Sequence, residues 1–239
     1  MEKQQILNNI HTVRAEMARA EQACGRAAGE TLLLAATKTV SAEDINFAVN
    51  EGGITDIGEN RVQELLSKYD ALDRDKMRIH FIGSLQTNKV KYIIDKVDLI
   101  HSVDSVKLAK EIDRRAAAIG KVQDILLEYN SGMEQNKGGF DRDALYSALP
   151  EIASLSNVRL LGIMTIAPKC EKDSDYCKFF QETYQIFLDI LQKKPHNSNV
   201  SVLSMGMSDS YVPAIQCGAT VVRVGSKIFG ARYYPEKQN

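Results

Sequence analysis

The chain has no excess of either charge: 30 basic residues stand against 31 acidic ones, for a formal net charge of −1. No run of like charge marks a polyanion-binding face, so nucleic acid is not an expected partner. Long apolar runs are missing too. The longest are strand-sized, well short of the ~20 residues that a membrane span needs, so no membrane is expected. The N-terminus, Met1-Glu2-Lys3-Gln4-Gln5, lacks a basic stretch followed by an apolar core, which argues against a secretory leader. Cysteine is scarce. Cys24, Cys170, Cys177 and Cys217 form no Cys-x-x-Cys pair and have no zinc-type histidines nearby. They read as reduced thiols of a cytoplasmic protein. The four histidines (His11, His80, His101 and His196) are scattered, which speaks against a metal centre and for structural roles. The dinucleotide fingerprint Gly-x-Gly-x-x-Gly is also absent, which weakens any open doubly wound sheet.

What is present is ordinary in bulk and regular in order. Of 239 residues, 44% are hydrophobic and 26% charged, as in a globular protein. Ile6, Ile10, Val13, Met17, Ala20 and Cys24 fall on one helical stripe, ending at Gly25 or by Gly29. Strand-like stretches follow near 31–37, 54–58, 79–83, 97–101, 122–129, 159–164, 200–204 and 220–224. Ser41-Ala42-Glu43-Asp44 reads as a capping box opening a helix that ends at Gly52-Gly53. Further amphipathic helices are expected near 60–71, 86–95, 105–118, 141–155, 174–193 and 209–217. Strict strand–helix alternation means parallel strands joined by helical crossovers. The expected fold is α/β: one (β/α)8 TIM barrel over residues 1–239 with an additional N-terminal helix.

A barrel of this kind puts active groups at the C-terminal ends of its strands and phosphate at the loops after strands seven and eight. Lys38 stands at the downstream end of the apolar run Leu32-Leu33-Leu34-Ala35-Ala36-Thr37. An ammonium there loses hydration, which favours the neutral, nucleophilic amine of a Schiff-base lysine. The plain alternative is a strand-end lysine bent out to solvent. Strand seven runs into Ser204-Met205-Gly206-Met207-Ser208-Asp209, and strand eight into Gly225-Ser226-Lys227-Ile228-Phe229-Gly230. Glycine admits a ligand close to the backbone, and N–H groups with serine hydroxyls attract a phosphate. The alternative is helix caps at Ser208 or Asp209 and at Ser226. Arg223 interrupts the buried strand Thr220–Val224. Such a guanidinium needs a partner: a core carboxylate, or the ring nitrogen of a bound pyridoxal group. Asn60 either hydrogen-bonds a ligand or caps the next helix. The loop around Gly138-Gly139 is a lid or a surface excursion.

Several longer motifs come in a fixed order: Ala36-Thr37-Lys38-Thr39-Val40, Gly58-Glu59-Asn60-Arg61-Val62-Gln63-Glu64, His80-Phe81-Ile82-Gly83-Ser84-Leu85-Gln86-Thr87-Asn88-Lys89, Gly138-Gly139-Phe140, and the stretches 203–209 and 222–230. On these, essentially the whole chain resembles the pyridoxal phosphate homeostasis proteins, single-domain relatives of alanine racemase. The resemblance implies pyridoxal 5′-phosphate held as a covalent aldimine on Lys38. It implies phosphate contacts from Ser204, Ser208, Gly225 and Ser226 with Gly206 in the same loop, a ring-nitrogen contact from Arg223, and a neighbouring Asn60. Ser226 stands where members often carry threonine, which keeps the hydroxyl. Ile79 stands before His80 where a tryptophan is common.

The resemblance further implies a cofactor-binding protein of vitamin B6 homeostasis without a conventional reaction, with apo pyridoxal enzymes as candidate recipients. The alternative is a pyridoxal-dependent amino-acid racemase of low activity. Racemisation needs an acid/base group on each face of the substrate. The additional domain that supplies the second group in alanine racemase is not expected in the nine residues after Gly230. An unrelated Schiff-base aldolase is disfavoured because its lysine sits on a later strand. The N-terminal stripe either packs on the barrel or supports a dimer; the first, giving a monomer, is the preferred expectation.

Overall fold

A computed structural model describes residues 2–133 and 138–230. The middle of the expected lid, residues 134–137, and the stretch after Gly230 lie outside the described residues. The strands are β1 (Leu32–Ala36), β2 (Asp56–Glu59), β3 (Arg78–Phe81), β4 (Leu99–Val103), β5 (Gln123–Tyr129), β6 (Val158–Thr165), β7 (Ser198–Ser204) and β8 (Val221–Val224). They close in sequence order into one parallel barrel, with β8 returning to pair with β1. The helices are α1 (Lys3–Ala23), α2 (Ala42–Asn50), α3 (Val62–Lys68), α4 (Val106–Ala117), α5 (Arg142–Ala153), α6 (Asp173–Lys193), α7 (Tyr211–Gln216) and α8 (Ser226–Phe229). No described helix is long and apolar enough to cross a membrane.

Local chemistry explains most boundaries. The Ser41 side chain accepts from the Asp44 N–H at 3.1 Å, which opens α2 as the capping box requires. In α1, Ile6, Ile10, Val13, Met17 and Ala20 are buried as the stripe predicts. Cys24 is exposed because the helix ends one residue before it. Glu21 is buried instead, and its carboxylate accepts the N–H groups of Gly29 (2.8 Å) and Thr31 (2.6 Å). That satisfies a buried charge and fixes the path from α1 into β1.

Three helices differ from expectation. Between β3 and β4 there is only a 3-10 helix, Thr87–Tyr92. The β-branched Val90, Ile93 and Ile94 disfavour a longer α-helix, and their burial fixes a tight turn instead. The helix expected at 60–71 is α3 from Val62, followed by a 3-10 turn at Tyr69–Ala71. Arg61 rather than Asn60 occupies its cap position. The helix expected from 209 begins at Tyr211, with Ser210 at the cap position, so neither Ser208 nor Asp209 is a cap. Gly225 rather than Ser226 precedes α8.

Outward-facing strand residues and inward-facing helix residues form one large core. Inside the barrel the apolar filling is thin: Leu34, Ile82 and Val221 in one cluster, Leu99, Leu126 and Met164 in another. Beside them lie buried polar side chains, among them Asp56, His80, His101, Ser204 and Arg223. Helix α1 lies against α2, α7 and α8 beside the C-terminal mouth. Ile10 is fully buried in that contact. Ile10→Ala should therefore lower the unfolding free energy by about 3 kcal/mol in a urea titration. A loss below ~1 kcal/mol would mean that α1 is not part of the folded core.

Candidate functional site

A cavity of about 410 Å³ opens at the C-terminal mouth. Lys38, Ser208, Asp209, Arg223, Gly225 and Ser226 all line it. These residues come from the segments after β1 and β7 and from β8 and its following turn; the β1 segment meets the others because β8 closes on β1.

Lys38 lies two residues past β1 and is half-buried. The turn that carries it is clamped from the side of α3. Lys68, almost fully buried, donates to the carbonyl oxygens of Thr37 (3.0 Å) and Val40 (3.2 Å), which bracket Lys38. The same ammonium pairs with Glu59 at 2.8 Å and Glu64 at 3.3 Å. Glu59 also accepts the Thr37 hydroxyl, and Glu64 accepts the Thr39 N–H. Thr39 takes φ 64°, a left-handed conformation that needs such support. Burial pushes the Glu59 carboxyl upward, against the pull of Lys68.

The loops after β7 and β8 are tied together. The Gly225 N–H donates to the Ser208 hydroxyl at 3.2 Å, and the Arg223 N–H donates to the Gly206 carbonyl at 3.0 Å. Gly206 has φ 90°, and a Cβ there would stand 2.5 Å from that of Ala214. At Gly225 a Cβ would come within 2.9 Å of the Ala36 carbonyl oxygen, so only glycine lets β8 close on β1 here. Ser226 opens α8, where the first N–H groups have no partner within the helix.

Arg223 is 4% exposed, yet no carboxylate pairs with it among the described residues. Its Nη1 donates to Ser204 Oγ at 2.7 Å and its Nη2 to the Thr165 carbonyl at 2.9 Å. Burial lowers its pKa to about 10, with Glu128 pulling the other way. Ser204 is fully buried beneath the cavity and does not line it. Its hydroxyl hydrogen-bonds Arg223 and His101. Gly206 shapes the loop from below, also outside the lining. Asn60 lines a second cavity of about 250 Å³ with Ser84, Glu128 and Asn130. Its Oδ1 is buried without a hydrogen-bond partner among the described residues.

Sequence reasoning missed the clamp on the Lys38 turn and the polar barrel interior. His80 and His101, scattered in sequence, meet inside the barrel at 2.9 Å. Strand parity is the signal that was available: His80 alternates with Ile82, and His101 with Leu99, both of which point inward.

These features define a parallel barrel of the alanine racemase type, with a lysine and glycines lining a cavity at one mouth. The sequence pattern of the alanine racemase N-terminal domain family matches residues 5–233. A pyridoxal phosphate homeostasis protein of Aquifex aeolicus is 44% identical over 231 residues, spanning 95% of this chain and 100% of that protein. The protein of the same name from Escherichia coli K12 is 34% identical, over 97% of this chain and 99% of that one. The solved structure of PipY from Synechococcus elongatus with PLP bound superposes with a TM-score of 0.81 at 30% identity, covering 94% of this chain and 100% of that one. The chain belongs to the pyridoxal phosphate homeostasis protein family.

Glu128 makes a separate pH prediction. Burial, with Asp104 adding repulsion, raises its carboxyl to about 7 from 4.5. A raised folded-state pKa means that ionisation weakens the fold as pH rises from the unfolded value through the folded one. Glu128→Gln should match the parent protein below pH ~4.5 and exceed it by up to about 3 kcal/mol above pH ~7. Denaturation across that range checks this; a constant offset at all pH values would contradict it.

Proposed function

We propose that the chain holds pyridoxal 5′-phosphate in the first cavity and serves vitamin B6 homeostasis by binding the cofactor rather than by turning over a substrate. The observation that carries this reading is that Lys38, Arg223 and the Ser208–Gly225–Ser226 loops line a single cavity. The fit is supported by the volume and by the glycine at 225, where any side chain would strike Ala36. When bound, the cofactor supplies an electrophilic aldehyde and an electron-withdrawing ring.

The residues divide the work. Lys38 Nζ forms the Schiff base, and the clamp from Lys68 sets where that amine sits. Ser208, Gly225 and Ser226 hold the phosphate, using hydroxyls and N–H groups at the start of a helix. Arg223 presents N–H donors to the ring nitrogen. Because arginine only donates, it favours a nitrogen without a proton, which makes the ring a weak electron sink. That supports a binding role over racemisation. Asn60 offers the cofactor a buried side-chain oxygen that, among the described residues, has no hydrogen-bond partner at the same end of the barrel. The burial of the α1 stripe within the chain supports a monomer, and the family resemblance supports a cytoplasmic setting with apo pyridoxal enzymes as recipients.

Purified protein should be yellow, and borohydride reduction followed by peptide mass spectrometry should place a pyridoxyl group on Lys38. A label on another lysine would sink the assignment. Arg223→Ala should weaken cofactor retention about tenfold or more, the loss of a hydrogen bond to a charged group; unchanged retention would leave Arg223 a structural role only. Robust racemisation of L- or D-amino acids by the cofactor-loaded protein would overturn the binding role.

A further inference from the structure

A chain of side chains crosses the barrel interior beneath the cavity. At the N-terminal end, Arg78 pairs with Asp56, with its Nε 2.8 Å from Oδ1. Thr55 donates its hydroxyl to the other oxygen of Asp56 at 2.7 Å. His80 Nε2 lies 2.8 Å from Asp56 Oδ1, and His80 Nδ1 lies 2.9 Å from His101 Nε2. His101 Nδ1 is 3.0 Å from Ser204 Oγ, which in turn accepts from Arg223 Nη1 at 2.7 Å. Asp56, His101 and Ser204 are fully buried, and His80 and Arg223 are 4% exposed.

The two ends dictate the direction of every bond. A guanidinium can only donate and an ionised carboxylate can only accept. Ser204 Oγ accepts from Arg223, so its single proton goes to His101 Nδ1. His101 then carries its proton on Nε2 and gives that bond to His80 Nδ1. His80 carries its proton on Nε2 and donates it to Asp56. With both imidazoles neutral, every bond in the chain is made. Hydrogen bonds from His80, Arg78 and Thr55 overcome the effect of burial and keep Asp56 ionised. Burial, reinforced by the Arg223 charge, holds His101 well below the ordinary histidine range. Were His80 to gain a proton, its Nδ1 would become a donor. His101 would have to change tautomer, and the Ser204 proton would lose its acceptor.

We propose that Asp56, His80, His101 and Ser204 form a one-way hydrogen-bond relay that locks the Arg223 guanidinium in place, so that the site selects a pyridine phosphate whose ring nitrogen is an acceptor. His101 and Ser204 are positioning residues in this scheme: they act on the ligand through Arg223. The groups facing the relay are Arg78 and Thr55 on Asp56, and Glu128, which acts on Arg223 from β5. The selection step rests on the reading that Arg223 meets the ring nitrogen; the relay itself does not.

Two experiments test this. The first needs no ligand. In ¹⁵N-histidine-labelled full-length protein at pH 7, both His80 and His101 should be neutral with the proton on Nε2. A charged His101, or one protonated on Nδ1, would overturn the relay. The second compares pyridoxal phosphate with its N-methylated pyridinium analogue, whose ring nitrogen cannot accept. The parent protein should prefer the first about tenfold or more, the effect of one hydrogen bond to a charged group. His101→Leu should erode that preference. His101→Asn, which sets an amide oxygen where Nδ1 stood, should restore it. Loss of the preference in neither variant, or no preference in the parent, would overturn the selection role. A parent protein that binds neither compound would overturn the cofactor reading, while the tautomer measurement would still decide the relay.

Discussion

A guanidinium enclosed by the barrel, with no carboxylate paired to it among the described residues, sets the terms for the rest of this structure. Burying Arg223 is unfavourable unless its donors are met and its position is fixed. Ser204 and the Thr165 carbonyl meet two of them. That commits the end of β6, the end of β7 and the middle of β8 to one arrangement. The Ser204 hydroxyl then needs an acceptor, which is His101, and the demand passes through His80 to Asp56. An interior that could have been filled with branched apolar side chains is given over to this chain. Replacing one member leaves a neighbour buried and unsatisfied, which is the costly way to break such a network.

The mouth of the barrel is built on a second polar core. The Lys38 turn contains a residue with positive φ and departs from strand geometry, so it has little local reason to hold its shape. Lys68 supplies that reason by binding the carbonyls on both sides, and Glu59 and Glu64 balance its charge. The lysine and the arginine that line the cavity are therefore each fixed by buried partners that do not line it. This is the arrangement expected of a preorganised site, where supporting residues determine how accurately the contacting ones are placed.

Much of this was legible in the sequence. The period of apolar residues and the alternation of strand and helix set the barrel, because burying one face of each element leaves a clear trace. The Gly206 and Gly225 turns were readable because glycine is required where backbones crowd. Lys38, Ser208, Arg223, Gly225 and Ser226 were recognisable, and the barrel brings them to one cavity. The partners of Arg223 were not legible. A strand arginine signals only that some partner exists; whether that partner is a carboxylate, a serine or a ligand depends on strand register around the whole barrel. For the same reason the sequence does not show that Ser204, at the end of β7, turns its side chain toward Arg223 and His101. The short helix between β3 and β4 was overestimated because buried Val90, Ile93 and Ile94 give a helical spacing in a segment that folds as a 3-10 turn.

The central claim is that one mouth of the barrel is shaped for pyridoxal phosphate, with Lys38 and Arg223 addressing opposite parts of its ring. A crystal structure of the protein grown with pyridoxal 5′-phosphate tests it most directly. The account predicts continuous density from Lys38 Nζ to the cofactor, the phosphate at Ser208, Gly225 and Ser226, and the ring nitrogen within hydrogen-bonding distance of Arg223. A phosphate bound elsewhere, or a ring nitrogen turned away from Arg223, would contradict it.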